Sequence, residues 1–231
     1  MRIVVTRPQA DGARTATALK ALGHEVLVAP LIRIEPVPAA LVGTWSAIVI
    51  TSANALQAAA TPELKGLPVF SVGSRTAEAA RQAGFATVSA ANGDTKDLVR
   101  LIAASHAVAK GPLLYLAGED RAGDLVAELA MRDIRVEMKI VYRAVAETFP
   151  PVLAAALEAG DVDAVLHFSR RSAELFIQGA SASGVAGAAE DVRHICLSVQ
   201  VAEPLAGASR VAIASRPEEA ALISLLRAQS A

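Results

Sequence analysis

Short β-branched runs alternate with alanine-rich helical stretches along this chain, and the alternation is written twice. Phe70-Ser71-Val72-Gly73-Ser74-Arg75-Thr76-Ala77-Glu78 lies over Ile195-Cys196-Leu197-Ser198-Val199-Gln200-Val201-Ala202-Glu203 without a gap. Thr87-Val88 then falls on Ala212-Ile213, and Ile50-Thr51-Ser52 falls on His167-Phe168-Ser169. The span from Ile3 to Ile32 falls on the span from Leu113 to Tyr142. A repeated strand–helix–strand plan narrows the fold sharply. Its strands are parallel, its crossovers right-handed, and its sheets covered by helices.

Local signals fill in the elements. Ile3-Val4-Val5 is a strand stopped by Arg7-Pro8, and proline suits a helix's first turn. Ala13, Ala16, Leu19 and Leu22 recur at helical spacing, Gly23 closes that helix, and Val26-Leu27-Val28 is the next strand. Ser74 and Asp94 are expected as helix caps, and 121–132 as a helix. The Gly-, Ser- and Ala-rich stretch 179–187 is expected as loop. Ser215-Arg216-Pro217-Glu218 reads as a capping box that opens the last helix.

A plain duplication puts one lobe in each half. Two long extended segments argue for interleaving instead. Residues 33–37 carry the chain out of the first lobe, and 138–147 bring it back. The expected fold is therefore α/β, with two similar lobes, each a parallel sheet flanked by helices, joined by two extended crossing segments. Lobe one is 1–32 plus 148–231, and lobe two is 38–137. The crossing segments make a natural hinge, and Tyr142, within Lys139-Ile140-Val141-Tyr142-Arg143, is expected to face the cleft between the lobes.

Composition excludes several functions. The 231 residues are 53% hydrophobic and 19% charged, enough to build a core and too apolar for disorder. Aromatics at 3% and a formal charge of -1 argue against a nucleic-acid partner. The single cysteine, Cys196, allows neither an internal disulfide nor a cysteine-based zinc site, and it reads as a buried strand residue. No leader and no apolar run near a membrane span is evident, which makes a reduced cytoplasm the expected location and a monomer without membrane contact the expected state.

Several expected strand ends carry small hydroxyls or arginine: Thr6-Arg7, Thr51-Ser52, Ser74-Arg75-Thr76, Ser169-Arg170-Arg171, Ser198 and Ser215. In a parallel α/β sheet these lie at the carboxyl edge, beside helix N-termini that favour anions. Singly, each hydroxyl is an ordinary helix cap; together they suit a polycarboxylate ligand. No Walker loop, GxGxxG or GxSxG is present, and His24, His106, His167 and His194 have no metal-ligand spacing. His167 reads as a satisfied core or edge histidine.

The chain resembles the uroporphyrinogen-III synthases over essentially its full length. The resemblance rests on Val5-Thr6-Arg7-Pro8, Pro30-Leu31-Ile32, Ile48-Val49-Ile50-Thr51-Ser52-Ala53-Asn54-Ala55, Val72-Gly73-Ser74-Arg75-Thr76-Ala77 with Gly84-Phe85, Leu114-Tyr115-Leu116-Ala117-Gly118 and Val141-Tyr142-Arg143. The second copy departs at Leu197-Ser198-Val199-Gln200-Val201-Ala202, where the family often has a glycine turn and Thr-Ala. The resemblance implies a lyase of haem and porphyrin biosynthesis. Such an enzyme closes the linear tetrapyrrole hydroxymethylbilane, which bears eight carboxylates, with loss of water and inversion of the last pyrrole. It passes through an azafulvene and a spiro-pyrrolenine without a metal or organic cofactor. Tyr142 is then the expected catalytic group, and Thr6, Arg7, Ser52, Thr76, Ser169 and Ser198 are expected to bind substrate carboxylates. The same architecture also suits a non-catalytic sensor of a small anionic ligand. A receiver-like module fits poorly, because it needs clustered acids where these strand ends carry Thr, Ser and Arg.

Overall fold

The computed structural model describes residues 1–106, 111–121 and 123–227. The chain divides into two compact units, Met1–Arg33 with Val145–Ala231, and Ile34–Ala144. The first unit holds strands β1 (Arg2–Val5), β2 (Glu25–Val28), β9 (Ala164–His167), β10 (Arg193–Cys196) and β11 (Val211–Ile213). Its sheet runs β11-β10-β9-β1-β2, parallel throughout. Helices α1 (Gln9–Ala21), α6 (Pro151–Glu158), α7 (Arg170–Ala182), α8 (Ala186–Asp191), α9 (Val199–Ala202) and α10 (Glu219–Arg227) belong to this unit.

The second unit holds β4 (Ala47–Ile50), β5 (Val69–Ser71), β6 (Val88–Ala90), β7 (Leu113–Gly118) and most of β8 (Val136–Ala146), with helices α2 (Pro62–Lys65), α3 (Ser74–Gln82), α4 (Thr95–Ser105) and α5 (Leu125–Ala130). Its sheet runs β3-β8-β7-β4-β5-β6, where β3 is Ile32–Pro36. Without β3 the order β6-β5-β4-β7-β8 matches β11-β10-β9-β1-β2 strand for strand. This is the repeat read from the sequence, with β4 on β9 and β7 on β1. β3 and β8, the two segments through which the chain passes from one unit to the other, are antiparallel. The Val37 N–H bonds Val141 O at 2.9 Å, and the Glu147 N–H bonds Leu31 O at 2.9 Å. Glu35 and Arg143 face each other across this pair at 2.8 Å.

The strands are buried on both faces because helices cover both, which is why they read as continuous β-branched runs. Along β1, Ile3 and Val5 face a core with Leu19 and Leu222, while Val4 faces another with Leu153 and Phe176. In the second unit, Val49, Tyr115 and Ala117 lie on one face with Leu98 and Leu129, and Ile48, Ile50 and Leu116 on the other with Ala80 and Phe85.

Four local expectations are corrected. Residues 179–187 are mostly helix, since α7 runs to Ala182 and α8 starts at Ala186. Gly179 sits inside α7 because Phe149 fills the space of a side chain: an added Cβ falls 2.3 Å from Phe149 Cδ2. The helix expected over 121–132 is shorter, beginning at Leu125 with Asp124 as its cap, and Ala122 lies outside the described residues. Ser74 is the first residue of α3 and not its cap; Gly73 takes the cap position. Helix α10 begins at Glu219, so Ser215 lies too far upstream to cap it. Asp94 does cap α4, accepting the Asp97 N–H at 2.7 Å.

His167 and His194 form a buried pair in the first unit, with His167 Nε2 3.0 Å from His194 Nδ1. His194 Nε2 lies 2.8 Å from the Ala189 carbonyl, which can only accept, so Nε2 carries the proton. His194 Nδ1 therefore accepts, His167 Nε2 donates, and His167 Nδ1 is left as a buried lone pair without a partner among the described residues. Burial lowers both pKa values from 6.5, His167 well below it, reinforced by His194 at His167 and by Arg210 at His194. Cys196, also buried, has its thiol pushed up to about 12 by desolvation.

His167 stays neutral in the fold and protonates in the unfolded chain below 6.5, and His194, also lowered, acts in the same direction. Stability is therefore full above that pH and falls as pH drops below it, by up to about 1.4 kcal/mol per pH unit from His167. Chemical denaturation between about pH 7 and pH 5 should show this loss, and His167→Leu should make its slope shallower by roughly one proton. Gly179→Ala should lower stability by about 1–3 kcal/mol, read from the same denaturation curves, because the new methyl overpacks against Phe149.

Candidate active site

A β-bulge decides which way Tyr142 points. β7 and β8 pair in register from Leu113 with Val136 to Ala117 with Ile140, and then Gly118 pairs with Tyr142, skipping Val141. Ile140 packs on the face of Tyr115 and Ala117, and Val141 on the opposite face with Ile50 and Leu116. Regular alternation returns Tyr142 to the face of Ile140. The extra residue keeps it on the face of Val141, a known use of bulges beside active sites. There the tyrosine ring occupies the space above Gly118. An added Cβ on Gly118 lies 2.6 Å from Tyr142 Cζ, 2.7 Å from Cε2 and 2.8 Å from the hydroxyl oxygen.

Ser52 follows β4 on that same side, one residue past Thr51 and two past Ile50. Its hydroxyl oxygen accepts the Asn54 N–H at 3.3 Å, which opens a short 3-10 turn at Ala53–Ala55. The Ser52 hydroxyl also acts on Tyr142, in the sense that favours the phenolate. The pKa of Tyr142 is nonetheless raised, first by burial, with Tyr115 and Asp120 pushing the same way. Tyr142 thus keeps its proton at neutral pH. On the other face Tyr115 and Thr51 join hydroxyls at 3.3 Å. A cavity of about 250 Å3 opens beside Tyr142, walled by Pro36, Leu41 and Ala58, with the amides of Asn54 and Gln57 in its lining.

The other expected site residues divide into two groups. Thr76 lies in the first turn of α3, which begins without a side-chain cap and without an acidic residue in that turn. Ser169 caps α7, accepting the Ser172 N–H at 3.1 Å, and the first turn of α7 also lacks acids. Ser198 caps the short α9, accepting the Val201 N–H at 3.4 Å. These positions keep the hydroxyl-and-helix-start character expected of them. Thr6 and Arg7 differ. Thr6 is fully buried and donates its hydroxyl to Leu166 O at 3.2 Å. The Arg7 guanidinium is buried on the Phe168 ring at 4.1 Å, reaches Glu219 at 3.2 Å and Thr15 at 3.1 Å, and lies 3.6 Å from Asp11. Both side chains are used inside the first unit, because each strand end is buried where α1 and α10 approach it. Among the described residues, no three His, Cys, Asp or Glu side chains gather closely enough to hold a metal ion.

Gln57 carries no motif that marks it in the sequence, and Asn54 and Gly118 fall inside segments of the family resemblance without a role attached to them. Gly118 meets Tyr142 only through a register that follows the bulge. The titration of Tyr142 tests the local geometry directly. Ser52→Ala removes the hydroxyl that favours the phenolate, so the Tyr142 pKa should rise further above its ordinary value. Alkaline difference absorbance of the protein, with Tyr142→Phe as reference, measures that shift.

The uroporphyrinogen-III synthase HemD family model matches residues 13–224. No curated protein sequence matches the chain. Among solved structures, it resembles uroporphyrinogen-III synthetase from Helicobacter pylori, with a TM-score of 0.67 at 18% identity, covering 98% of this chain and 99% of that one. It also resembles a mutant uroporphyrinogen III synthase from Thermus thermophilus, with a TM-score of 0.54 at 19% identity and 98% of each chain covered. At such identities the structural matches speak for the fold, and the family match spans nearly the whole sequence: the chain belongs to the uroporphyrinogen-III synthase HemD family.

Proposed function

We propose that this cyclising lyase of tetrapyrrole biosynthesis uses Tyr142 as the hydrogen-bond donor to the departing hydroxyl of hydroxymethylbilane. The observation that carries the reading is the bulge in β8 that lays the Tyr142 ring over Gly118, beside a cavity of about 250 Å3. Burial keeps the tyrosine proton in place. The electrons that expel the hydroxyl come from the substrate's own pyrrole nitrogen, which forms the azafulvene and loses its N–H proton. Water therefore leaves with no net proton taken from the enzyme. A donor of raised pKa suits this step, since it polarises the leaving group without being consumed.

The rest of the task is conformational. Two ends of a flexible chain must meet with the last ring inverted, and holding them near each other is worth several powers of ten in rate. We assign side-chain carboxylates of the substrate to Ser52, to the start of α3 at Thr76, and to the helix starts at Ser169 and Ser198. Backbone N–H groups share in that binding. Thr6 and Arg7 support their strand end from within. The assignment of the enzyme to the cytoplasm, as a monomer, is part of the same proposal. Among the described residues no helix is long and apolar enough to cross a membrane, and one chain carries all the groups named.

The test is a coupled assay in which hydroxymethylbilane is generated in situ and the oxidised porphyrin isomers are separated. The expected product is a large excess of isomer III. Tyr142→Phe should lower kcat by about 10²-fold or more with little change in KM. Isomer I alone, at the uncatalysed rate, would leave a binder without turnover.

A further inference from the structure

We infer that Gly118 is a positioning residue for the reaction, fixing the place of the Tyr142 hydroxyl by leaving the tyrosine ring a space that any side chain would fill. This rests on the reading of Tyr142 as the donor, and adds to it the constraint that sets the donor's aim. Three atoms of the ring, including the hydroxyl oxygen, lie 2.6–2.8 Å from the place of a Cβ on Gly118. That is closer than real Cβ contacts come, so an alanine must displace something.

The backbone is poorly placed to yield. The Glu119 N–H bonds the Tyr142 carbonyl at 3.0 Å, and Gly118 is paired with Tyr142 in the sheet. Arg121 Nη1 donates to the carbonyls of Gly118 and Glu119 at 3.3 and 3.2 Å, which braces the turn after β7. The ring is the part that moves, by rotation about its Cα–Cβ and Cβ–Cγ bonds. Its hydroxyl lies at the far end of that lever, so a small tilt moves it the most. A displacement near 1 Å at a catalytic group costs about 10²-fold in rate.

The chain has two tyrosines, Tyr115 and Tyr142, so protein labelled with 13C at the tyrosine ζ carbon gives two signals, and Tyr142→Phe assigns them. In Gly118→Ala the Tyr142 signal and its alkaline titration should shift while those of Tyr115 hold. In the coupled assay, kcat should fall by about 10- to 100-fold with KM nearly unchanged. In a Tyr142→Ala background the added Gly118→Ala should cost less than about twofold, because the ring it acts through is gone. If Gly118→Ala alone folds poorly, the double variant with Tyr142→Ala should recover the thermal midpoint of Tyr142→Ala. A folded Gly118→Ala protein with an unmoved Tyr142 signal overturns the proposal. So does an equal loss of activity or folding in the Tyr142→Ala background. Full activity in Tyr142→Phe overturns the donor reading itself. That result is distinct from a crippled Tyr142→Phe enzyme whose Tyr142 signal ignores Gly118→Ala.

Discussion

Parallel pairing of β1 with β9 joins residues about 160 positions apart, and the first unit exists only because of it. Ile3, Val4 and Val5 lie against Ala164, Val165 and Leu166. The side chains next to the pair reinforce the register: the Arg2 N–H bonds Asp163 at 2.6 Å, and the Thr6 hydroxyl bonds Leu166 O. A contact so distant in sequence has a high loop-closure cost. It is offset because the joined sheet is buried on both faces, with Ile3, Val4, Val5, Val165 and Leu166 fully buried. The whole of 34–144 is, in effect, an insertion into the crossover between β2 and α6.

That insertion repeats the plan of its host, and the copies differ at one sheet edge. β1 and β7 are counterparts, as are β2 and β8. β2 stops at Val28, whereas β8 continues through a bulge to Ala146 and pairs with β3. The extension gives the second unit a strand its twin lacks, and the bulge lies where β8 passes the end of β7. A buried histidine pair holds the corresponding ground of the first unit, with His167 where Ile50 stands in the second. The first unit is therefore core at this place, and the second carries a polar tip at its sheet edge.

Fold-level information was legible in the sequence because it is carried by period and order. β-branched runs, Gly after helices and the gapless overlay of 70–78 on 195–203 are all local features, and they survive into the structure. What escaped the reading depends on distant partners. Gly179 reads as a loop residue until Phe149 is seen packed on it, and then it is a helix residue chosen for lack of a side chain. Arg7 beside Thr6 reads as an anion binder at a strand end, and no local pattern shows its pairing with Glu219, more than 200 residues away. Tyr142 was visible as a polar-tipped aromatic in an extended run. Its direction was not, because a one-residue bulge reverses the face and leaves no mark in composition.

A strong acid or base is not what this site is built to supply. Hydroxymethylbilane closes unaided to the uninverted isomer, so the difficulty is one of arrangement, and an aggressive proton donor would speed the wrong closure as well as the right one. Tyr142 answers that constraint under the proposed mechanism, because burial makes the phenol a weaker acid. The proposed donor then acts only on a leaving group brought to one place. Selectivity between isomers, on the same proposal, passes to whatever fixes that place: the bulge, the glycine under the ring, and the helix starts assigned to the substrate's carboxylates.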